Sequence, residues 1–539
     1  MLSLQTCGLT WTLALAVFMA TFGSPFLIGY NLAILNLPGP YIEMFLGRTI
    51  LHLTANQTTD GPINPEFLYA QVSTTYVAAC AIGAFSSGWV ADILGRRNGL
   101  LFNDPFAILG GILCALCVRT NQPALLFIGR FILGLNCGIA TGVAPLYLTE
   151  VAPSRLRGAV GACNQLGVVM GIVIAYVVTL TETLNHSNLW PIACGLCAVP
   201  AAISLLVLPF CPESPRFLMV ERNDEARARK AFKQLNSNNG VDRFISELRE
   251  EMEQAKSQPE FKFVQLFTQR DLRMPMLIAC VIQLFQQLSG INAVISYSST
   301  MLSMTGIEKH YIQYCVLAIG LVNLVVTIIA LMLLERAGRR TLLLWPTIAV
   351  AVALLLMTVT VNVGADTDSK SVEQAMGICS TCLILVFICG FALGLGPVPA
   401  LIVSEIFRQG PRAAAYSVSQ CLLWLSNLIV LGAYPSMAKA IKGYSFLPFL
   451  VVVVVCWVFF YFFMPETRNR SFDEVARELA FRKKSSIRPL IITETISFDG
   501  SMSEGEKTAT TQNLRIYDSR QRKLPVKDQF RIRGSLDAR

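Results

Sequence analysis

Long apolar runs separated by short polar ones organise this chain from end to end. Polar residues are sparse in the stretches 12–34, 69–91, 99–118, 124–148, 158–181, 189–210, 274–298, 312–334, 341–362, 375–404, 413–434 and 446–464. Each stretch is long enough to cross a hydrocarbon core as a helix. Backbone groups in lipid must be satisfied within the segment, so runs of this kind form helices rather than open strands. The pattern predicts an all-α membrane protein with twelve transmembrane helices.

Three polar segments interrupt the runs. Residues 42–68 are expected as a loop on the outer side, carrying the glycosylation sequon Asn56-Gln57-Thr58. Residues 211–272 separate six spans from six, and within them Asp224–Lys233 and Val241–Ala255 alternate charged and apolar residues at helical spacing. These two stretches predict short surface helices on the cytosolic side. The tail 465–539 is rich in Ser, Thr and Arg, with little apolar periodicity, and is expected to be disordered beyond about residue 485, where it is open to cytosolic partners. The expected organisation is 1–210, a first six-helix half; 211–272, a linker; 273–464, a second six-helix half; and 465–539, the tail. Lys and Arg concentrate in alternate connections, which places both termini in the cytosol. No charge precedes the first run, and that run continues past Gly23-Ser24, so it is expected to remain as a span rather than be cleaved.

Composition narrows the function. The chain is 53% hydrophobic and 15% charged, well below the charged share of an ordinary soluble domain. The net charge of +9 lies mainly in the orienting loops and does not predict nucleic-acid binding. Most of the 16 cysteines fall inside apolar runs, where they pack as small hydrophobes. With three histidines and no ligand spacing, no metal site is expected; nor is any cofactor, Walker A loop or nucleophile–base pair of an enzyme.

The two sets of six spans repeat in the same orientation. Glu150, Arg157 and Gln165 are answered by Glu405, Arg412 and Gln420; Gly95-Arg96-Arg97 by Gly338-Arg339-Arg340; and PESPRF after the sixth span by PETRNRSF after the twelfth. Every offset lies between 243 and 255 residues. Parallel repeats of this kind place substrate near the midplane, between two halves that rock.

Two groups of residues carry candidate chemistry. Arg96, Arg97, Glu150, Arg157, Glu335, Arg336, Arg339, Arg340, Glu405 and Arg412 lie at cytosolic turns and helix ends. Arginine alone would mark the cytosolic side, but repeated carboxylates at matched spacing predict a salt-bridge gate that closes the inside when the halves rock outward. The second group consists of amides within spans: Gln165, Gln283, Gln286, Gln287, Asn292, Asn323 and Asn427. An amide both donates and accepts, which suits neutral hydroxyls better than ions. Four of these amides cluster around Gly290, which is expected to break the seventh span. Trp424 offers an indole to an apolar sugar face or to the core. No Asp, Glu or Lys is expected at mid-span, Asp104 being placed toward the cytosolic end of the third span, so transport is expected to be passive. Arg130 is expected to be structural.

The motifs GRFILGLNCG (129–138), PLYLTE (145–150), PESPRFL (212–218), QQLSGINA (286–293), ERAGRR (335–340) and PETRNRSF (465–472) together resemble the GLUT-type facilitative hexose transporters of the major facilitator superfamily. The resemblance implies that Gln165, Gln286, Gln287, Asn292, Asn323 and Asn427 bind a small neutral sugar, and that Tyr297 closes over it from outside. Proton-coupled relatives carry an acidic residue after the Gly-Tyr of the first span. Asn31 stands there, which is similar to the passive branch. The glucose-carrying branch has Glu and Trp at the positions of Ala392 and Ala400. Alanine at both resembles the fructose-carrying branch, although Phe391 and Leu423 replace the histidines typical of it. The expected function is hexose uniport at the plasma membrane. The alternatives are a proton-coupled sugar or polyol symporter and a transporter-like sugar sensor.

Overall fold

In the computed structural model, the described residues are 10–54, 65–153, 156–236, 240–257, 264–303, 307–367, 369–407 and 409–468, with single positions as far as 478. Asn56, Asn469 and the tail beyond 478 lie outside this set. All regular structure among the described residues is helical. Eleven helical stretches are long and apolar enough to cross a membrane. The last of them, Ala414–Phe463, is 50 residues long and contains two crossings. The eleventh span, Gln409–Ile441, and the twelfth, Leu447–Phe463, meet at a tight 3₁₀ turn, Lys442–Phe446. Lys442 sits there at φ 46°.

The first span divides into Trp11–Gly23 and Pro25–Ala33. Pro25 has no N–H to continue the ladder, and Ser24 between the two pieces is non-helical, at φ −132° and ψ −77°. Spans two to six are Pro65–Leu94, Arg96–Leu116, Pro123–Val151, Arg157–Val178, and the pair Trp190–Gly195 and Ala198–Val207. The seventh breaks between Arg273–Leu288 and Ile291–Ser303, where Gly290 takes φ 94° as its place in the sequence predicts. Spans eight and nine are Lys309–Ala337 and Arg339–Ala365. The tenth runs from Lys370 to Gly390, loosens into a π turn at Phe391–Leu395, and resumes as Val398–Ile406.

One expected loop is largely helix. Gly39–Thr54 is helical and the second span begins at Pro65, so 42–68 is not the open connection its polarity suggests. Ile42, Leu46 and Thr49 are buried at helical spacing, which gives this helix a face against the spans.

With no hydrophobic drive between helices in lipid, close packing of small residues decides who neighbours whom. On the fourth span Gly134, Gly138 and Gly142 form a stripe against the second. A Cβ there would lie 2.2 Å from the Tyr76 carbonyl oxygen, 2.2 Å from that of Cys80 and 2.1 Å from the Ser87 hydroxyl. The first six spans meet the last six along two seams, span two on span eleven and span five on span eight. The linker forms the helices Pro215–Val220, Glu225–Leu235, Val241–Ser257 and Gln265–Thr268. Asp224 caps the second of these by accepting from the Arg227 N–H at 2.9 Å.

Candidate substrate site and gates

Gln283, Gln286, Gln287 and Asn292 flank the Gly290 break of the seventh span, where a backbone can present polar groups at membrane depth, whereas Gln165, Asn323 and Asn427 lie within regular helices. Gln286 on the seventh span donates to the Gly396 carbonyl at 3.2 Å, just beyond the π turn of the tenth. Gln165, on the fifth span of the other half, brings its amide nitrogen to 3.5 Å from where a Gly396 Cβ would stand. Gly396 thus meets an amide from each half. Asn292 donates to the side-chain amide oxygen of Gln287 across the Gly290 break, and both residues are buried. Asn427 and Gln283 are buried with neither side-chain atom hydrogen-bonded. An orphaned buried amide is costly, so each points to a ligand or water that satisfies it. The sequence placed Gln283 in the amide cluster around Gly290, but the family resemblance did not include it among the sugar-binding residues.

The remaining candidates are more dispersed. Asn323 is buried on span eight and accepts from Thr327 at 3.4 Å. Trp424 is buried and its indole N–H reaches the Thr141 hydroxyl of the other half at 3.5 Å. Ala392 is buried within the π turn, whereas Ala400 is exposed. Arg130 is buried, donates to the Asn31 carbonyl at 2.9 Å and lies 4.1 Å from the Tyr76 ring centre, with its Nε unpaired. Asp104 departs from expectation. It lies well inside the helix Arg96–Leu116, fully buried, near the Gly23 break of the first span. The short piece 99–104 reads as a helix end only if the span is started too late; the helix in fact begins at Arg96.

The end opposite the Gly-Arg-Arg turns is closed. Asn36, after the first span, donates to Ser298 at 2.7 Å and to the Ile295 carbonyl at 2.8 Å, and accepts from the Ser299 hydroxyl at 2.7 Å. Tyr176 donates to the same Ile295 carbonyl at 2.8 Å. Gln313 accepts from the Thr181 N–H at 2.8 Å, and Glu182 accepts from Tyr314 at 2.6 Å. Lys439 pairs with Glu66 across the halves. Tyr297 sits where the seventh span bends again, at φ −128°, stacked on Tyr434 at 5.6 Å, edge-on to Tyr69 at 6.2 Å, and bonded to the Leu431 carbonyl at 3.1 Å.

At the Gly-Arg-Arg end the described ion pairs lie within each half rather than between halves. Arg96 reaches Glu150 at 3.1 Å and Asp92 at 3.8 Å, and Ser214 donates to Glu150. Arg339 reaches Glu405 at 2.8 Å, and Thr467 donates to Glu405 at 2.5 Å. The repeat visible in the sequence is therefore a repeat of contacts. Arg97 bonds the Cys211 carbonyl at 2.9 Å and Arg340 that of Tyr461 at 2.7 Å, which ties each to its own half. Arg336 is exposed. The side chains of Arg157, Glu335 and Arg412 lie outside the described set.

Two residues at this end escaped sequence reasoning as participants. Glu213 accepts the N–H groups of Arg96 at 3.1 Å, Arg97 at 2.9 Å and Ser214 at 2.8 Å. Glu466 accepts those of Arg339 at 2.9 Å and Arg340 at 3.2 Å. Each carboxylate caps the exposed N-terminus of a span, where the helix dipole favours negative charge. The Glu shared by PESPRF and PETRNRSF was the available signal.

Twelve spans in two repeated sets, breaks at spans one, seven and ten, and amides meeting between the sets define a solute transporter of the major facilitator architecture. The chain belongs to the sugar (and other) transporter family, whose model matches residues 16–479. It is 37% identical over 472 residues to the solute carrier family 2, facilitated glucose transporter member 3 of Ovis aries, covering 88% of this chain and 93% of that one. It is 38% identical over 483 residues to member 4 of Homo sapiens, covering 89% and 92%. The fold is shared with the E. coli xylose transporter XylE in a partially occluded inward-open conformation. The TM-score is 0.70 at 22% identity, over 86% of this chain and 100% of that one.

Proposed function

We propose that this protein carries a hexose such as glucose or fructose down its gradient across the plasma membrane by alternating access. The observation that carries the reading is the meeting of Gln286 and Gln165, one from each half, at Gly396. A neutral polyol laid between them can be gripped by both halves at once, which couples binding to their rocking. Gln287, Asn292, Asn323 and Asn427 extend the set of donors and acceptors, and the unsatisfied amides of Gln283 and Asn427 gain partners when sugar enters. Relatives named as facilitated glucose transporters support the substrate class. Tyr297 and the Asn36 contacts act as the outer gate. With that end shut, the proposed state is inward-facing, and the paired Arg96–Glu150 and Arg339–Glu405 groups are the stock from which cross-half contacts form when the inside closes. Ala392 and Ala400 leave the tenth span without bulky side chains, which favours a roomier site and leaves fructose beside glucose as a candidate. Both termini are assigned to the cytosol, Asn56 to the glycosylated side, and the tail to cytosolic partners.

The test is uptake of labelled glucose and fructose in cells lacking their own carriers, with and without a proton uncoupler. Equilibration unaffected by the uncoupler is expected. Buried Asp104 favours a second reading, proton-coupled symport. Accumulation above the outside concentration, abolished by the uncoupler, would establish it instead.

A further inference from the structure

We propose that the cavity beneath the first six spans binds a phosphate-bearing anion, the headgroup of an inner-leaflet lipid being the source its surroundings favour. The cavity, of about 680 Å³, lies between the ends of spans two and six and the linker helix Glu225–Leu235. Its charged lining consists of Arg97, Arg222, Arg227 and Lys230 against Glu213 and Asp224. Both carboxylates are already engaged. Glu213 caps the third span, with its second oxygen on the Asn98 N–H at 3.3 Å. Asp224 caps the linker helix and pairs with the Arg227 side chain at 3.2 Å. Lys230 is exposed and has no partner among the described residues. The cavity therefore presents excess positive charge on its linker side.

The two other cations are held rigidly. Arg97 is fixed by Asn98 at 2.8 Å and by the carbonyls of Pro209 at 3.3 Å and Cys211 at 2.9 Å. Arg222 donates to the Ile93 carbonyl and lies 5.5 Å from the Phe217 ring centre. Arginines at span ends can serve only as caps for the last carbonyls. That reading covers Arg97 and Arg222, but not the facing Arg227 and Lys230 across the same cavity. Four cations lining one cavity suit a phosphate, which accepts several charge-assisted hydrogen bonds. The rim points to a lipid. Ile93, whose carbonyl holds Arg222, and Phe210, between the two carbonyls that hold Arg97, are strongly exposed, so apolar surface adjoins the anchors of both arginines. Acyl chains can follow it while the headgroup enters. Placing this end in the cytosol rests on the topology proposed above.

The experiment measures binding of fluorescent dioctanoyl phosphatidylinositol bisphosphate to the full chain in detergent, with dioctanoyl phosphatidylcholine as the neutral control. Inositol trisphosphate and inorganic phosphate serve as competitors. Saturable binding of the bisphosphate lipid is expected, weakened roughly tenfold or more in Arg227→Gln/Lys230→Gln, at about one unit of surface attraction lost per cation. Competition by inositol trisphosphate at equal potency would make the soluble headgroup sufficient; weaker competition would assign the lipid. Undiminished binding in the double variant, or equal binding of phosphatidylcholine, overturns the site. Hexose uptake by the same variant reports separately on folding and on the transport reading, since neither residue belongs to the sugar site or its gates.

Discussion

Glu182, on the turn after the fifth span, accepts a hydrogen bond from the Tyr314 hydroxyl at the start of the eighth at 2.6 Å, joining the two halves at the closed end. Gln313 adds a second contact to the same carboxylate oxygen at 3.3 Å. The Tyr314 hydroxyl holds the Glu182 carboxyl below its ordinary range. A lowered value means that the closed arrangement is favoured while the group is ionised, and that this support is lost as pH falls through the lowered value. Acidification should therefore shift the population toward opening at this end. The group is exposed, so the shift should be small, roughly a few-fold. Spin labels at Asn188 and Lys309, with exposed Cys379 and Cys382 replaced by Ser, would report it as growth of a longer distance. In Glu182→Ala the longer distance should already be enriched and should not respond to pH; an unchanged response would remove Glu182 from the latch.

The Arg339–Glu405 pair is only partly exposed, with side-chain accessibilities of 15% and 26%, and it is fastened by Thr467. Removing either partner leaves a poorly solvated charge, so Arg339→Ala and Glu405→Ala should each destabilise the protein, and the double variant by less than their sum. A double-mutant cycle in thermal unfolding should give a coupling of roughly 1–3 kcal/mol. If the pair also supplies the inner gate, both single variants should increase cytosolic-side ligand access.

Gly95 adopts φ 99°, and a Cβ there would stand 2.7 Å from a Glu213 oxygen and 2.8 Å from Phe217. At φ 99° and ψ 175° the backbone is open essentially to glycine alone, so Gly95→Ala should cost about 1–3 kcal/mol for the conformation, and more because the helix-capping Glu213 must move. Gly240 has a similar φ of 92° with nothing within 4 Å. Gly240→Ala is therefore the control for backbone strain, and its melting temperature should fall less. Equal losses would mean that Glu213 is not held by the turn.

Gln287→Ala removes the amide that accepts from Asn292 and should raise the KM for hexose uptake about five- to tenfold, on the scale of one or two net hydrogen bonds. Surface expression should be retained. Uptake kinetics identical to the parent would exclude Gln287 from the sugar site.

Apolar run length and the cost of an unsatisfied backbone in lipid already determined the helical, twelve-span character of the chain, and the repeated Glu, Arg and Gly determined its two-fold plan. The break at Gly290 was equally local, because it depends on one residue's freedom at positive φ. Other features depended on partners distant in sequence. The helix Gly39–Thr54 is stabilised by burying Ile42 and Leu46 against the spans, a gain that polarity along the segment does not record. Motif spacing placed Arg96, Glu150, Arg339 and Glu405 together at one end of the spans, but gave no indication of which would pair, or whether a bridge would form within a half or between halves. That depends on which end of the molecule is shut. Likewise, the sequence supplied the amides, while only tertiary packing brought Gln165 and Gln286 together at Gly396. Side-chain chemistry and backbone freedom are written residue by residue; the meeting of two halves is a property of their surfaces together.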